Sequence, residues 1–141
     1  MAIVYLALGS NLEDRKALIL KALLSLKEQG IIILKTSSII ETDPIGGPFD
    51  QPKYLNAVVK AKTSFSPEEL LIVTSQIEKK MGRVRKVFNG PRLIDIDILL
   101  YDDVKLISHR LVIPHPRMME RDFVLKPLKE IEPNLCASLK V

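Results

Sequence analysis

The chain has a single cysteine, Cys136, two histidines and no tryptophan among its 141 residues. One cysteine cannot form an internal disulfide, and with two histidines it cannot supply the four ligands of a typical structural zinc site. No apolar run reaches the roughly 20 residues of a membrane-spanning helix. The run 2–8 has no basic residues before it, so it resembles a first strand more than a signal peptide. These absences predict a cytoplasmic protein without disulfides.

Glycine is also sparse, with six residues at positions 9, 30, 46, 47, 82 and 90. Their spacing fits neither a Walker A loop nor the GxGxxG pattern of dinucleotide-binding folds. A nucleotide, if one binds, must be held by other groups. The length itself is typical of one domain, so we expect a single domain spanning residues 1–141.

Hydrophobic periodicity divides the chain into strands and helices. Runs rich in β-branched residues predict strands, and apolar stripes at i, i+3 and i+4 predict amphipathic helices. A capping box at Ser66–Glu69, with proline at the first helical position, marks the start of the second helix. The predicted strands are Ile3–Leu8, Ile31–Ile40, Tyr54–Thr63, Leu93–Tyr101 and a short one near Val104–Ile107; the helices carry the stripes 19–26 and 70–81, and a last helix lies around Asp122–Ile131.

The order of the main elements is strand, helix, strand, strand, helix, strand. This order predicts an α+β protein with a ferredoxin-like βαββαβ core, in which helices pack on one antiparallel sheet and further elements follow at the C-terminal end. The fold hosts many functions, so it does not by itself predict an activity.

The arginines are concentrated in one part of the chain. The net charge is +4. Six of the seven arginines and both histidines lie within residues 83–121, a range that contains eight Lys/Arg and five Asp/Glu residues. Arginine presents a planar fork that suits phosphate and carboxylate groups. A solvated basic face is the simpler alternative.

Two aspartates interrupt the apolar strand Leu93–Tyr101. Asp95 and Asp97 share one face, about 7 Å apart along the strand, because side chains alternate between faces. Aspartate is a poor strand former, and like charges on one face repel. A hard cation such as magnesium removes both penalties, and two carboxylates in line could hold one or two ions against a polyphosphate. An exposed acidic face is the alternative.

The basic residues flank this strand. Residues 82–92 contain Arg83, Arg85, Lys86 and Arg92 and no acid. Such a run is compatible with a solvated loop or a nucleic-acid patch, but cations beside a carboxylate pair also match the needs of phosphoryl transfer. Downstream, His115 stands between two prolines, which suits a rigid contact to a phosphate or hydroxyl group.

Together these segments resemble a known family. The run 90–100 (GPRLIDIDILL) resembles the signature of the hydroxymethyl-dihydropterin pyrophosphokinase family, which acts in folate synthesis. Further matches follow in order along nearly the whole chain: 7–12 (ALGSNL), 42–46 (TDPIG), 50–56 (DQPKYLN), 82–85 (GRVR), 113–115 (IPH) and 121–123 (RDF). The chain departs from the family pattern at Phe88 and Asn89, and its loop from Gly82 to Gly90 is one residue shorter than in well-known relatives.

The resemblance implies a reaction and a set of residues. The family transfers diphosphate from ATP to the hydroxymethyl group of a reduced pterin and releases AMP. By resemblance Asp95 and Asp97 bind two Mg²⁺ ions, and with Arg83 and Arg92 they form the catalytic set. The residues implied to contact ATP are Glu78, Arg83, Arg85, Arg92, Ile98, Arg110, His115 and Arg121. Glu78 has a surface ion pair with neighbouring cations as its alternative role.

The pterin side rests on Tyr54, Asn56 and Phe123. A flat heterocycle calls for aromatic faces and for an amide that satisfies its donor–acceptor edge. Ordinary core packing is the alternative for the two aromatic residues. By resemblance the pocket is completed by Thr42, Pro44 and Ile45.

Two other classes of protein compete with the enzyme. An RNA-binding module uses the same fold with a basic face, but its aromatic strand signature is absent. A regulatory domain without catalysis leaves Asp95 and Asp97 unexplained. We therefore expect ATP and a reduced pterin as partners, no nucleic acid, no membrane, and a monomer.

Overall fold

Five strands form the main sheet in the part of the chain that the structure describes. The structure is a computed structural model that describes residues 1–10, 15–42, 54–82 and 94–135. Over these ranges no helix is both long and apolar enough to cross a membrane. The elements are β1 (Ala2–Ser10), α1 (Arg15–Glu28), β2 (Ile32–Thr36), β3 (Ile40–Thr42), β4 (Tyr54–Thr63), α2 (Pro67–Met81), β5 (Asp95–Tyr101), β6 (Leu106–Ile107), β7 (Val112–Ile113), a 3₁₀ turn (Met118–Glu120) and α3 (Asp122–Ile131).

The sheet has the order β2–β4–β1–β5, with β3 also paired to β4. All of these pairings are antiparallel. Because β2 and β3 both pair with β4, they act as one interrupted strand. The topology is then the βαββαβ arrangement that the sequence predicts. The prediction of an α+β, ferredoxin-like fold is therefore confirmed. A separate hairpin of β6 and β7 follows the core.

The predicted strand 31–40 is wrong as one continuous strand. Ser37 donates its backbone N–H to the Val58 carbonyl at 2.9 Å, and its hydroxyl accepts the Val58 N–H at 2.9 Å. The next residue, Ser38, turns to α3, where its N–H and hydroxyl both bond the carboxylate of Glu130. These side-chain bonds replace the ladder and produce the break between β2 and β3.

The two faces of the sheet are covered by different helices. On one face α1 and α2 enclose a core that includes Leu6, Leu26 and Leu70. On the other face α3 packs on residues that include Tyr5 and Val58. The α3 face is covered over only part of its length, so the strand residues beyond the start of α3 line an open site.

The C-terminal end of α3 is fastened to the sheet by polar contacts. Lys35 donates to the Ile131 carbonyl at 3.2 Å, and the Lys60 ammonium donates to the carboxylate of Glu132, which follows the helix directly. Glu130 bonds Ser38, as described above. The consecutive residues 130–132 at the end of α3 therefore bond the segment after β2, β2 itself and β4. This end is fixed, so the opposite end of α3 has a defined position over the sheet.

Candidate active site

A cavity of about 520 Å³ opens between the sheet and the start of α3. On this face β1 contributes the small residues Ala7 and Gly9, and their lack of bulky side chains leaves space for the cavity. A Cβ atom on Gly9 would lie only 3.1 Å from the Asn56 side-chain oxygen. The residues that line this larger cavity are Ala7, Leu8, Gly9, Thr42, Tyr54, Asn56, Ala57, Asp95, Asp97, Arg117, Glu120, Arg121, Phe123 and Val124.

Both aspartates of β5 belong to this wall. In the register with β1, Asp97 faces Ala7 and Asp95 faces Gly9, so the small residues of β1 leave room beside the carboxylates. Both side chains are half-buried. Burial raises the pKa of Tyr54, and the negative charge of Asp95 raises it further. Asp95 is therefore close enough to the phenol to act on it electrostatically.

The residues predicted to hold the pterin come together in the same cavity. Asn56 on β4 is only 6% exposed, and its amide donates to the Thr42 hydroxyl at 2.6 Å. This bond satisfies a buried polar side chain inside a strand, where asparagine is otherwise unfavourable. Tyr54 and Phe123 are half-buried and lie on the β4 and α3 walls respectively.

A second cavity of about 270 Å³ lies beside the first. Its lining combines apolar side chains with the polar end of the β6–β7 hairpin, and Asp97 belongs to both cavities. Three residues predicted to contact ATP, Ile98, Arg110 and His115, line it together. The other lining residues are Leu71, Ile96, Ser108, His109, Leu111, Val112 and Pro116.

The surroundings of His115 favour its neutral form. Burial lowers its pKa; the charge of Asp97 acts in the opposite direction, and Arg121 and Arg117 act with burial. Its Nδ1 accepts the Arg117 backbone N–H at 3.2 Å. A neutral imidazole that accepts at Nδ1 carries its proton on Nε2. An Nε2–H group of this kind can donate to a ligand oxygen.

Arg121 and Phe123 form a pair at the start of α3. The Arg121 guanidinium carbon lies 5.6 Å from the centroid of the Phe123 ring, a cation–π distance. Arg121 lines the larger cavity, although its predicted role is with ATP. Arg117 and Glu120 line this cavity too and were not among the predicted site residues. The basic run around His115 indicates Arg117, whereas no pattern indicates Glu120.

Glu78 lies at the junction of α2 and β5. Its Oε2 accepts the backbone N–H of Ile96 at 2.7 Å. The predicted ATP contacts Arg83, Arg85 and Arg92 and the pterin-pocket residues Pro44 and Ile45 fall outside the described residues. The structure thus brings the remaining predicted residues to two adjoining cavities and gives Glu78 a bond to β5, the strand that carries Asp95 and Asp97.

The described ranges contain no group of three or more His, Cys, Asp or Glu side chains placed to hold a metal ion. Within these ranges Asp95 and Asp97 place two carboxylates on one strand at the cavity, and Glu120 lines the same cavity from the 3₁₀ turn. Magnesium commonly binds proteins through one or two carboxylates and completes its shell with water and substrate phosphates. The donor set fits such an ion, with the ligand supplying the remaining oxygens.

Two cavities that share a carboxylate, with Arg110 at the smaller one and Arg117 and Arg121 at the larger one, are typical of an enzyme that binds an anionic co-substrate beside a second small molecule. The model of the 7,8-dihydro-6-hydroxymethylpterin-pyrophosphokinase (HPPK) family matches residues 5–133. The chain belongs to this family.

Individual relatives agree with the family match. The chain is 48% identical over 130 residues to a 2-amino-4-hydroxy-6-hydroxymethyldihydropteridine pyrophosphokinase of Bacillus subtilis, covering 92% of the chain and 77% of the relative. It is 48% identical over 135 residues to the Aquifex aeolicus protein of the same name, covering 96% and 83%. A folate synthesis bifunctional protein of Arabidopsis thaliana is 44% identical over 91% of this chain, which corresponds to 26% of that protein.

Solved structures share the fold. A crystal structure of Plasmodium falciparum HPPK-DHPS has a TM-score of 0.70 at 20% identity and covers 94% of this chain. The matched part is 40% of that chain, so the likeness concerns a minority of it. The resemblance seen in the sequence is confirmed: the protein is an ATP-dependent pyrophosphokinase acting on hydroxymethyldihydropterin in folate biosynthesis, and the RNA-binding alternative is not supported.

Proposed function

We propose that diphosphate transfer takes place where the two cavities meet, at Asp97. In this scheme the reduced pterin occupies the larger cavity, and ATP enters by the smaller one. The observation that carries the proposal is that Asp97 lines both cavities, with Asp95 beside it in the larger one. The β-phosphorus of ATP and the pterin hydroxymethyl group would then approach each other at this carboxylate, and AMP would leave.

Asp95 and Asp97 would hold two Mg²⁺ ions. When bound, the ions neutralise phosphate charge and lower the barrier to attack by the hydroxyl oxygen. The strand contributes rigidity, because both carboxylates extend from one face of a paired β5 and not from a loop.

The cations would bind the phosphates and stabilise charge that moves onto AMP. Arg110 and His115 line the smaller cavity, and Arg121 lines the larger one with its guanidinium over the Phe123 ring. Neutral His115 would donate from Nε2 to a phosphate oxygen without adding a full charge. Preorganised donors of this kind act where charge develops in the transition state. Arg83, Arg85 and Arg92 join this set by the family pattern.

The pterin would stack between aromatic side chains. Tyr54 and Phe123 present the rings, and Asn56 presents a polar edge whose orientation is fixed by Thr42. Pro44 and Ile45 would complete the pocket by the family pattern. The cytoplasmic location, the monomeric state and the lack of nucleic-acid and membrane partners stay predictions from the sequence.

The variant Asp97→Asn tests the proposal because it keeps the size of the side chain and removes its charge. We expect diphosphate transfer to fall at least about 100-fold, as for loss of a preorganised electrostatic group. Binding of Mn²⁺ with a non-hydrolysable ATP analogue, followed by electron paramagnetic resonance, should weaken in parallel. Asp103→Asn, in an exposed turn, is the matched control and should behave as the unmodified chain. Near-normal turnover and Mn²⁺ binding in Asp97→Asn would refute the proposal.

A further inference from the structure

The outer edge of β5 is bonded by a helix side chain. β5 is the last strand in the order β2–β4–β1–β5, so half of its backbone groups point away from β1. The outward N–H of Ile96 is accepted by Glu78 Oε2 at 2.7 Å. A carboxylate that accepts a backbone N–H makes a charge-assisted bond, which is stronger than a neutral one.

The bonded amide lies between the two aspartates of the site. The Ile96 N–H belongs to the peptide plane that joins Asp95 to Ile96, and Asp97 is the next residue. Because a peptide unit is planar and rigid, holding this N–H restricts the backbone that carries both carboxylates. The Ile96 side chain, only 5% exposed, fixes the same residue from the core side.

Glu78 extends from a rigid element. α2 begins with a complete capping box at Ser66 and Glu69, and Ile77 beside Glu78 is buried in the core. The Glu78 carbonyl accepts the Gly82 N–H at 2.9 Å, so the backbone at this position is still helical. The carboxylate is therefore delivered to β5 from a well-anchored turn.

We infer that Glu78 is a positioning residue: it holds the Asp95–Ile96 peptide so that Asp95 and Asp97 keep the spacing required by the metal ions. This inference rests on the proposed function, since it presumes that these aspartates bind the ions. It differs from the role implied by resemblance, in which Glu78 contacts ATP. A positioning role requires a side-chain oxygen that accepts the Ile96 N–H. A nucleotide contact requires the Glu78 carboxylate to touch ATP itself.

Two substitutions separate these roles. Glu78→Gln keeps a side-chain oxygen at the same reach, and Glu78→Met keeps the length but removes every acceptor. We expect Glu78→Met to weaken Mn²⁺ binding, measured with a non-hydrolysable ATP analogue, by about 10- to 100-fold, as is usual when a group that orients a metal ligand is lost. Its kcat should fall by a similar factor, and Glu78→Gln, which keeps a neutral acceptor but loses the charge, should lose clearly less than Glu78→Met in both.

Hydrogen exchange of the Ile96 amide in the full chain reports on the bond itself. Protection should drop in Glu78→Met and persist in Glu78→Gln, with no metal or substrate present. Glu68→Met, an exposed substitution in the first turn of the same helix, is the matched control and should change neither exchange nor Mn²⁺ binding. Unchanged Ile96 protection and unchanged Mn²⁺ affinity in Glu78→Met would overturn the inference.

A nucleotide contact gives a different pattern. Equal losses in Glu78→Gln and Glu78→Met, confined to ATP affinity measured without a divalent ion, would overturn positioning in favour of direct binding. Failure of the proposed function is distinguishable, because it would appear as normal Mn²⁺ binding in Asp97→Asn. If Glu78→Met does not fold, Glu78→Asp provides the test: its shorter side chain should cost Mn²⁺ affinity, and an affinity equal to that of the unmodified chain would reject the inference.

Discussion

Individual residues determine the depth of the larger cavity. Gly9 lies on the central strand opposite Asn56 on one side and Asp95 on the other. A side chain there would enter the space between the Asn56 amide and the Asp95 carboxylate. Its lack of a Cβ atom, and not its backbone freedom, is what the site uses.

Gly9→Ala should therefore impair pterin binding selectively. The new Cβ would lie 3.1 Å from the Asn56 side-chain oxygen, closer than most real contacts of this kind, so the amide must shift. We expect the affinity for a pterin substrate analogue to fall about tenfold, comparable to a disturbed buried hydrogen bond, with ATP-analogue affinity nearly unchanged. Isothermal titration calorimetry measures both.

Gly30→Ala is the control for a general loss of stability. Gly30 ends α1 with a φ of +86° and has open space around it, so alanine there is strained without touching the site. It should cost about 1 kcal/mol of the free energy of unfolding and leave pterin affinity as it is. If both variants weaken pterin binding equally, the steric account of Gly9 is wrong.

The sequence predicts site residues best where they share a short pattern. Alternation along one strand suffices to place Asp95 and Asp97 on the same face. The bond from Glu78 to Ile96 joins residues 18 positions apart, and it depends on how α2 crosses the edge of the sheet. No local pattern encodes that crossing. The position of Arg117 is equally hard to predict. The cluster of basic residues around His115 indicates that Arg117 belongs to the site, but it does not indicate which cavity Arg117 lines.

At the scale of elements, α3 links the stability of the protein to its site. Its first turn carries Phe123, and the residue after its last turn, Glu132, bonds Lys60 of β4. The hydrogen bond from Lys60 lowers the pKa of Glu132, with further contributions from the charges of Lys60 and Lys35, while desolvation opposes them. The charged carboxylate is thus the form that the folded state prefers.

This preference predicts a pH dependence of stability. A carboxyl group whose pKa is lower in the folded chain contributes stability above its unfolded pKa and loses it as the pH falls through the folded value. We expect Glu132→Gln to lower the free energy of unfolding at pH 7 and to differ progressively less from the unmodified chain below about pH 4.5. Urea unfolding at a series of pH values measures this.

Glu28→Gln, at the exposed end of α1, is the matched control and should shift the curve little at any pH. A Glu132→Gln variant whose deficit stays constant from pH 7 to pH 3 would show that the ion pair is not the source. The deficit would then reflect packing of the side chain alone.

Elements were predictable where a cap or a stripe marked them. α2 begins one residue after the predicted capping serine, and α3 has the predicted bounds, Asp122–Ile131. β7 is not predicted by the sequence, because its two residues are a strand only through their pairing with β6, which no local pattern indicates. The break after β2 was missed for another reason: it depends on bonds to Val58 and Glu130, which lie far away in sequence.

At the scale of the whole molecule, the order of strands brings the parts of the site together. β1 lies between β4 and β5, so Tyr54 and Asn56 of β4 and the aspartates of β5 flank the two small residues of one central strand. The alternation of elements predicted this topology. The division into two cavities could not be predicted, because it depends on where the β6–β7 hairpin and α3 settle against the sheet.

The shared wall at Asp97 predicts that the two substrates bind cooperatively. In the proposed arrangement both ligands contact the shared wall, so the first ligand to bind should order that wall and reduce the entropy cost of binding the second. We expect a magnesium–nucleotide analogue to tighten pterin binding by about 5- to 150-fold, the usual range for coupled sites. Calorimetric titration of the pterin with and without the analogue measures the factor.

The coupling between the two ligands must be equal in both directions, which gives a second test of this prediction. The pterin must tighten the magnesium–nucleotide analogue by the same factor, because coupling is a property of the ternary complex and not of either ligand. Asp97→Asn should reduce the factor towards one, since it removes the charge shared by the cavities, whereas Asp103→Asn should preserve it. Equal pterin affinity with and without the analogue in the unmodified chain would mean that the cavities are independent. The junction at Asp97 would then be a boundary between two sites and not the place where they act together.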